Sequence, residues 1–217
     1  MFDFAKARDH MVESQIRTSD VTEPAILRAF RTTPREKFVP KAKSALAYGD
    51  SHIRMDEDRI MLRPRDFAKL IDAAEIRSSD IVLDIACARG YSTAIMAKLA
   101  DTVVGLETSD EAVDKATELL NETDVSNAAV VKGDLKAGAS EHGPFNVIFV
   151  NGAVTEIPKA WISQLADKGR LVCIVQNGPM GRGTVYTKSG DFVGERVVFD
   201  ASAPVLPGFE REVAFVF

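Results

Sequence analysis

The chain has 217 residues, 46% hydrophobic and 27% charged, with a formal net charge of −5 and scattered basic residues. That composition fits a globular protein with one good-sized core and argues against a nucleic-acid partner, which would call for a basic stripe. No window approaches the ~18 apolar residues a membrane span needs, so no membrane partner is expected.

The opening stretch MFDFAKARDHMVES carries no apolar run behind basic residues, so no secretion signal is read there. Cys87 and Cys173 lie far apart, and His10, His52 and His142 stand alone. The reading is reduced thiols, a cytoplasmic protein and no metal site.

Residues 4–17 place Phe4, Ala7 and Met11 at helical spacing and predict an amphipathic helix. A second helix is expected from Glu23 to Arg31, with Thr22 as N-cap and Pro24 in its first turn. TPREKFVP reads as a turn between two prolines. Residues 47–63 are polar and read as a loop. Pro64 then opens a helix, RPRDFAKLIDAAEI.

Beyond it, strands and helices alternate. IVLDIA, TVVGLE, NAAVVKG, FNVIFVNG and GRLVCIVQ are the strands; STAIMAKLA, SDEAVDKATELLNE and PKAWISQLADK are the helices. Apolar runs such as VIFV suit strands buried on both faces. The pattern predicts an α/β fold, a doubly wound, mostly parallel sheet of about seven strands. GTVYTKSGDFVGERVVF reads as a hairpin and EREVAFVF as a last strand, giving a C-terminal antiparallel element.

Ligands of such sheets bind beyond the C-terminal strand ends. There the first strand runs into Asp84-Ile85-Ala86-Cys87-Ala88-Arg89-Gly90, and the second ends in Glu107. A carboxylate at that distance suits a grip on ribose hydroxyls. Asp134 follows the third strand and could read an adenine edge. A dinucleotide loop has the pattern G-x-G-x-x-G, whereas the small residues here are Ala86, Ala88 and Gly90, at every second position. Acid-x-small-x-small-x-Gly resembles the first motif of class I S-adenosylmethionine-dependent methyltransferases. Alanine is expected to replace glycine in it at negative φ. Arg89 either crowds a ligand or projects to solvent.

Over nearly its whole length the chain also resembles the protein-L-isoaspartate (D-aspartate) O-methyltransferase family. The resemblance rests on MVESQIRTSDVTEPAILRAFRTTPREKFVP, LAYGD, DRIMLRP, VLDIACARGYST, VVGLET, KGDL, PFNVIFVNGAVTEIP and QLADKGRLVCIV. It implies a Rossmann-like methyltransferase domain over 1–217. Residues 1–63 would be a helical extension on the acceptor side, and 64–217 the cofactor-binding sheet. It implies S-adenosylmethionine as cofactor, held by Met61, Leu62, Asp84, Ala86, Cys87, Ala88, Gly90, Tyr91, Glu107, Thr108, Asp134, Leu135 and Asn151. It further implies carboxyl methylation of isoaspartyl residues in damaged proteins; a small anionic acceptor is the other possibility.

One position departs from the family. Aligned on Pro64, the active-site serine is Leu62, which can neither donate nor accept a hydrogen bond. Arg63 and Arg65 beside it are either a solvated helix start or a grip on a different anionic acceptor. The alternatives are a non-catalytic descendant that only binds the cofactor or keeps the fold, and an NAD-linked oxidoreductase. The loop spacing argues against the latter. Oligomeric state is left open.

Overall fold

The structure, a computed structural model, describes residues 3–211. Helix α1 (Phe4–Met11) starts on Asp3, whose carboxylate accepts from the Lys6 N–H at 3.0 Å. The expected helix to residue 17 continues as a π-helical turn, Val12–Ile16, and a 3-10 turn, Arg17–Ser19. Helix α2 (Pro24–Thr32) has Pro24 in its first turn, but the N-cap is Glu23 and not Thr22, with no side-chain cap bond. Proline supplies the start by itself, because it fixes φ and brings no N–H to satisfy.

The stretch read as loop is partly ordered as a hairpin. Strands β1 (Ile53–Arg54) and β2 (Ile60–Met61) pair antiparallel. In the turn between them Glu57 and Asp58 hold positive φ, 50° and 55°. Ile53, Met55, Ile60, Met61 and Leu62 are buried. Two-residue strands are too short for an alternation to show in sequence.

Helix α3 (Pro64–Ala74) leads into β3 (Ile81–Ile85), α4 (Tyr91–Ala97), β4 (Thr102–Glu107), α5 (Asp110–Glu122) and β5 (Ala128–Lys132). There follow β6 (Phe145–Val154), α6 (Lys159–Ser163), β7 (Leu165–Asn177), β8 (Met180–Ser189) and β9 (Phe192–Ala201). The sheet order is β5-β4-β3-β6-β7-β8-β9; the first five strands are parallel and β8 and β9 antiparallel. The order reverses between β3 and β6, so their C-terminal ends border the crevice where ligands of such sheets bind.

Helix α6 is shorter than PKAWISQLADK suggests. Gln164 exchanges side-chain hydrogen bonds with Ala137 and Ala139, and its carbonyl accepts from the Phe145 N–H. The chain therefore turns into β7 at Leu165. The expected β8–β9 hairpin is present. The expected last strand, 210–217, lies almost wholly outside the described residues.

Alternate residues of each central strand feed two cores. Val82, Val103, Phe149 and Ile174 face one cluster, which also holds Met11, Ile16, Phe30 and Phe67 from the N-terminal half. Leu83, Val104, Val150 and Cys173 face the other, with Trp161 and Phe209. The N-terminal helices and the sheet thus share a core.

Candidate active site

Asp84, near the end of β3, is fully buried. It accepts from Ser92 Oγ at 2.7 Å, Thr93 Oγ1 at 2.6 Å and Asn151 Nδ2 at 2.6 Å. Burial pushes its carboxyl up to about 7; the three hydrogen bonds oppose this, and the Glu107 charge adds to it. Its role here is to tie β3, α4 and β6 together.

The following loop corrects one expectation. Ala86 and Ala88 stand at φ 59° and 52°, in the left-handed region, alongside Gly90 at 86°. The loop conformation is held despite two Cβ atoms, at roughly 1–2 kcal/mol each. Its amides enforce it: Ala86 N–H donates to Leu106 O, Ala88 N–H to Glu107 Oε1 at 2.7 Å, and Gly90 N–H to Cys87 O. At Gly90 a side chain would also meet Leu120 Cγ at 3.3 Å.

Glu107, at the end of β4, is fully buried and receives a fork from Arg59. Arg59 Nη2 donates to Oε2 at 2.9 Å, and Nε lies 3.1 Å from both oxygens. Arg59 Nη2 also donates to Thr108 Oγ1, and the Thr108 N–H donates to Oε2 at 3.2 Å. A cleft of about 630 Å³ opens beside this pair, lined by Met55, Arg59, Ala88, Arg89, Glu107 and Lys115 among others. That is the size range of small-ligand sites. Arg89 and Asp56, both in its lining, form an ion pair, with Nε 2.7 Å from Oδ2.

A second cavity, about 20 Å³, sits between Leu62, Met61, Cys87, Tyr91, Asn151 and Arg35. It has room for about one water. Arg35 is fully buried, with its Cζ 4.8 Å from the Tyr91 ring centroid. Arg35 Nη1 and Tyr91 Oη have no hydrogen-bond partner. Burial lowers the Arg35 pKa and raises that of Tyr91.

The structure thus brings Met61, Leu62, Cys87, Ala88, Tyr91, Glu107 and Asn151 to the two cavities; Asp84 is bonded to the lining residues Ser92 and Asn151, and Ala86 and Gly90 flank Cys87–Arg89 in the loop. Thr108 touches the site through Arg59. Asp134 and Leu135 line neither cavity. Asp134 is exposed and accepts from the Lys136 N–H, while Leu135 is buried with its carbonyl on Trp161 Nε1. Arg63 and Arg65 both pair with buried Asp66, each at 2.8 Å, and line neither cavity. Arg63 N–H also donates to His52 Nδ1. Arg59 and Arg35 are the residues sequence reasoning missed. Arg59 lies 48 positions from its partner, and no local signal connects them.

Residues 6–200 match the family profile for protein-L-isoaspartate(D-aspartate) O-methyltransferase. The chain belongs to this family. It is 38% identical over 170 residues to the protein-L-isoaspartate O-methyltransferase of Methanoculleus marisnigri, covering 78% of this chain and 77% of that one. It is 29% identical over 202 residues to that of Aliivibrio fischeri, covering 93% and 97%. A solved protein-L-isoaspartate O-methyltransferase shares the fold with a TM-score of 0.80 at 22% identity, covering 93% of this chain and 66% of that one. So does a Plasmodium falciparum protein crystallised with S-adenosyl-L-homocysteine, with a TM-score of 0.77 at 16% identity, covering 92% and 97%.

As a member of the protein-L-isoaspartate O-methyltransferase family the chain is an S-adenosylmethionine-dependent methyltransferase, with that family's Rossmann-like sheet. Among the described residues no helix is long and apolar enough to cross a membrane, and no cluster of His, Cys, Asp and Glu could hold a metal.

Proposed function

We propose that the protein methylates a carboxylate on a protein or peptide acceptor, the isoaspartyl carboxylate first among them, at the tips of β3, β4 and β6. The observation that carries this reading is Glu107, a buried carboxylate at the end of β4, beside a left-handed loop and a cleft of about 630 Å³. Two oxygens at that point suit the two hydroxyls of a ribose. The donor set therefore fits the cofactor in kind, with the Arg59 fork as the competing partner.

In this reading residues 64–217 hold the cofactor. Glu107 takes the ribose, and the backbone of Ala86–Gly90 takes the methionine end. Residues 1–63 supply the acceptor side through Met61 and Leu62. When bound, S-adenosylmethionine supplies a sulfonium-activated methyl group whose bonding pair stays on sulfur. The acceptor carboxylate, with an ordinary pKa of about 3.9, attacks as the anion, so no residue has to remove a proton. What the chain contributes is alignment and dryness. Ile60, Met61 and Leu62 are buried apolar walls, and Asn151 lines the small cavity beside Leu62. Two free, buried thiols, Cys87 and Cys173, agree with a reducing, cytoplasmic setting. The family match over residues 6–200 does not favour a non-catalytic descendant.

The test is calorimetric titration with S-adenosylhomocysteine, beside radiolabelled methyl transfer to an isoaspartyl peptide and its aspartyl twin. Glu107→Ala is expected to weaken binding by roughly 30- to 150-fold, the loss of a charged hydrogen-bonded grip. An unchanged Kd would remove Glu107 from the site.

A further inference from the structure

The Glu107 carboxylate is already full. Oε1 accepts from the Ala88 N–H and Arg59 Nε; Oε2 accepts from Arg59 Nη2, Arg59 Nε and the Thr108 N–H. A carboxylate offers about four lone-pair positions. The two backbone donors are fixed by the loop and the strand end. A vicinal diol could therefore reach both oxygens only through the positions the guanidinium holds. Both partners are buried, at 6% and 0% side-chain exposure, so the two groups cannot share the carboxylate through water.

Arg59 is also carried on a part of the chain suited to exchange. It closes the β1–β2 turn, whose two central residues, Glu57 and Asp58, hold left-handed φ without being glycine. Such a turn stores about 1–3 kcal/mol per residue. It is pinned over the strand tips by Arg59 on Glu107, by Arg89 on Asp56, and by Ser109 Oγ on Glu57 Oε1 at 2.6 Å. Glu111 and Asp114 of α5 line the same cleft. A guanidinium leaving Glu107 would find carboxylates across it.

We propose that Arg59 is a built-in competitor for the cofactor's ribose. Its fork on Glu107 gives way to the two ribose hydroxyls, and so Arg59 sets the affinity for ligands that carry an intact vicinal diol. This inference rests on the assignment of Glu107 to the ribose.

The experiment is a thermodynamic cycle. S-adenosylhomocysteine is titrated calorimetrically into wild type, Arg59→Gln, Glu107→Gln and the double variant, each first shown to be folded by circular dichroism and a cooperative melt. Arg59→Gln is expected to tighten binding by about 10- to 100-fold, the value of removing one charge-assisted competitor. In the Glu107→Gln background the same change should matter by less than about threefold, because nothing is left to compete for. Arg59→Lys, with a point charge in place of the fork, should fall between wild type and Arg59→Gln; it also serves if the glutamine variant folds poorly. Hydrogen exchange gives a second readout: in wild type, adding S-adenosylhomocysteine should speed exchange at residues 53–61, and in Arg59→Gln it should not.

Binding by wild type with equal or weaker binding by Arg59→Gln would overturn the competitor role and leave the cofactor reading standing. Binding by Arg59→Gln alone would support the competitor in its strongest form. Binding by none of the folded variants would overturn both, since Arg59 would not be what excludes the ligand.

Discussion

Arg35 Nη2 donates to the carbonyl oxygen of Leu62 at 2.6 Å, and its Nε donates to the carbonyl oxygen of Ala47 at 2.7 Å. One buried guanidinium thus fixes the backbone at Leu62, the position that the sequence resemblance aligns with the family's serine, whatever side chain stands there. Leu62→Ser should then keep its place beside the small cavity and present a hydroxyl to an acceptor. Wild type is expected to methylate isoaspartyl peptides slowly, because a buried polar group left unpaired by leucine costs about 1–3 kcal/mol. Leu62→Ser should raise isoaspartyl turnover by roughly 5- to 150-fold over wild type. The radiolabelled assay with the paired peptides reads this directly. Fast, isoaspartyl-specific turnover by wild type would show that the hydroxyl is dispensable.

Arg35 itself is a structural commitment. Arg35→Ala leaves two buried carbonyls without donors and removes a cation from the face of Tyr91. Each unpaired carbonyl costs about 1–3 kcal/mol, so a loss of roughly 3–5 kcal/mol is expected with the cavity included. Urea denaturation measures it. A loss below about 1 kcal/mol would mean that water takes over both carbonyls.

Asp84 should make stability fall with rising pH. Its carboxyl titrates at about 7 in the fold, pushed there chiefly by burial, and near 3.9 when unfolded. Between those values the folded chain holds a proton that the unfolded chain has released, so the free energy of unfolding declines as pH rises through that window and levels off above it. Denaturant midpoints at pH 5, 6, 7 and 8 should therefore drop more for wild type than for Asp84→Asn. Parallel profiles would show that Ser92, Thr93 and Asn151 keep the group ionised.

Ala88 holds φ 52°, where a Cβ is unfavourable. Ala88→Gly should relieve more strain than the added chain entropy takes away, a gain of about 0.5–1 kcal/mol. In a chain of this size that raises Tm by about 1–4 °C, readable by scanning calorimetry. A lower Tm would mean that the Ala88 methyl packs better than its φ suggests.

The fold was legible because its signals are local. Runs such as VIFV announced strands buried on both faces, Pro24 and Pro64 opened helices where expected, and the SGDFVG turn marked the β8–β9 hairpin. Thr22 misled because a good capping residue two places before a proline competes with the proline's own ability to start the helix. The end of α6 was hidden because Gln164 is held by distant backbone groups, not by its sequence neighbours. The place of the Asp84–Gly90 loop after a strand and of Glu107 at a strand end could be read, but the sign of φ at Ala86 and Ala88 could not, since residue type gave the opposite expectation. Arg59 and Arg35 act across 48 and 27 positions, distances over which a single sequence carries no pairing signal.

The shared core of the N-terminal helices and the sheet has a consequence for how ligands can be detected. Met11, Ile16 and Phe30 are packed in the same cluster as Val82 and Phe149, so heat has no seam along which to separate the two parts. Melting should be one cooperative transition, with equal calorimetric and van't Hoff enthalpies. A ligand that grips only the folded strand tips would raise that whole transition by mass action. The chain's single tryptophan, Trp161, is buried against the opposite face of the sheet, bonded to Leu135. Its fluorescence during a melt should therefore register occupancy of a site it never touches.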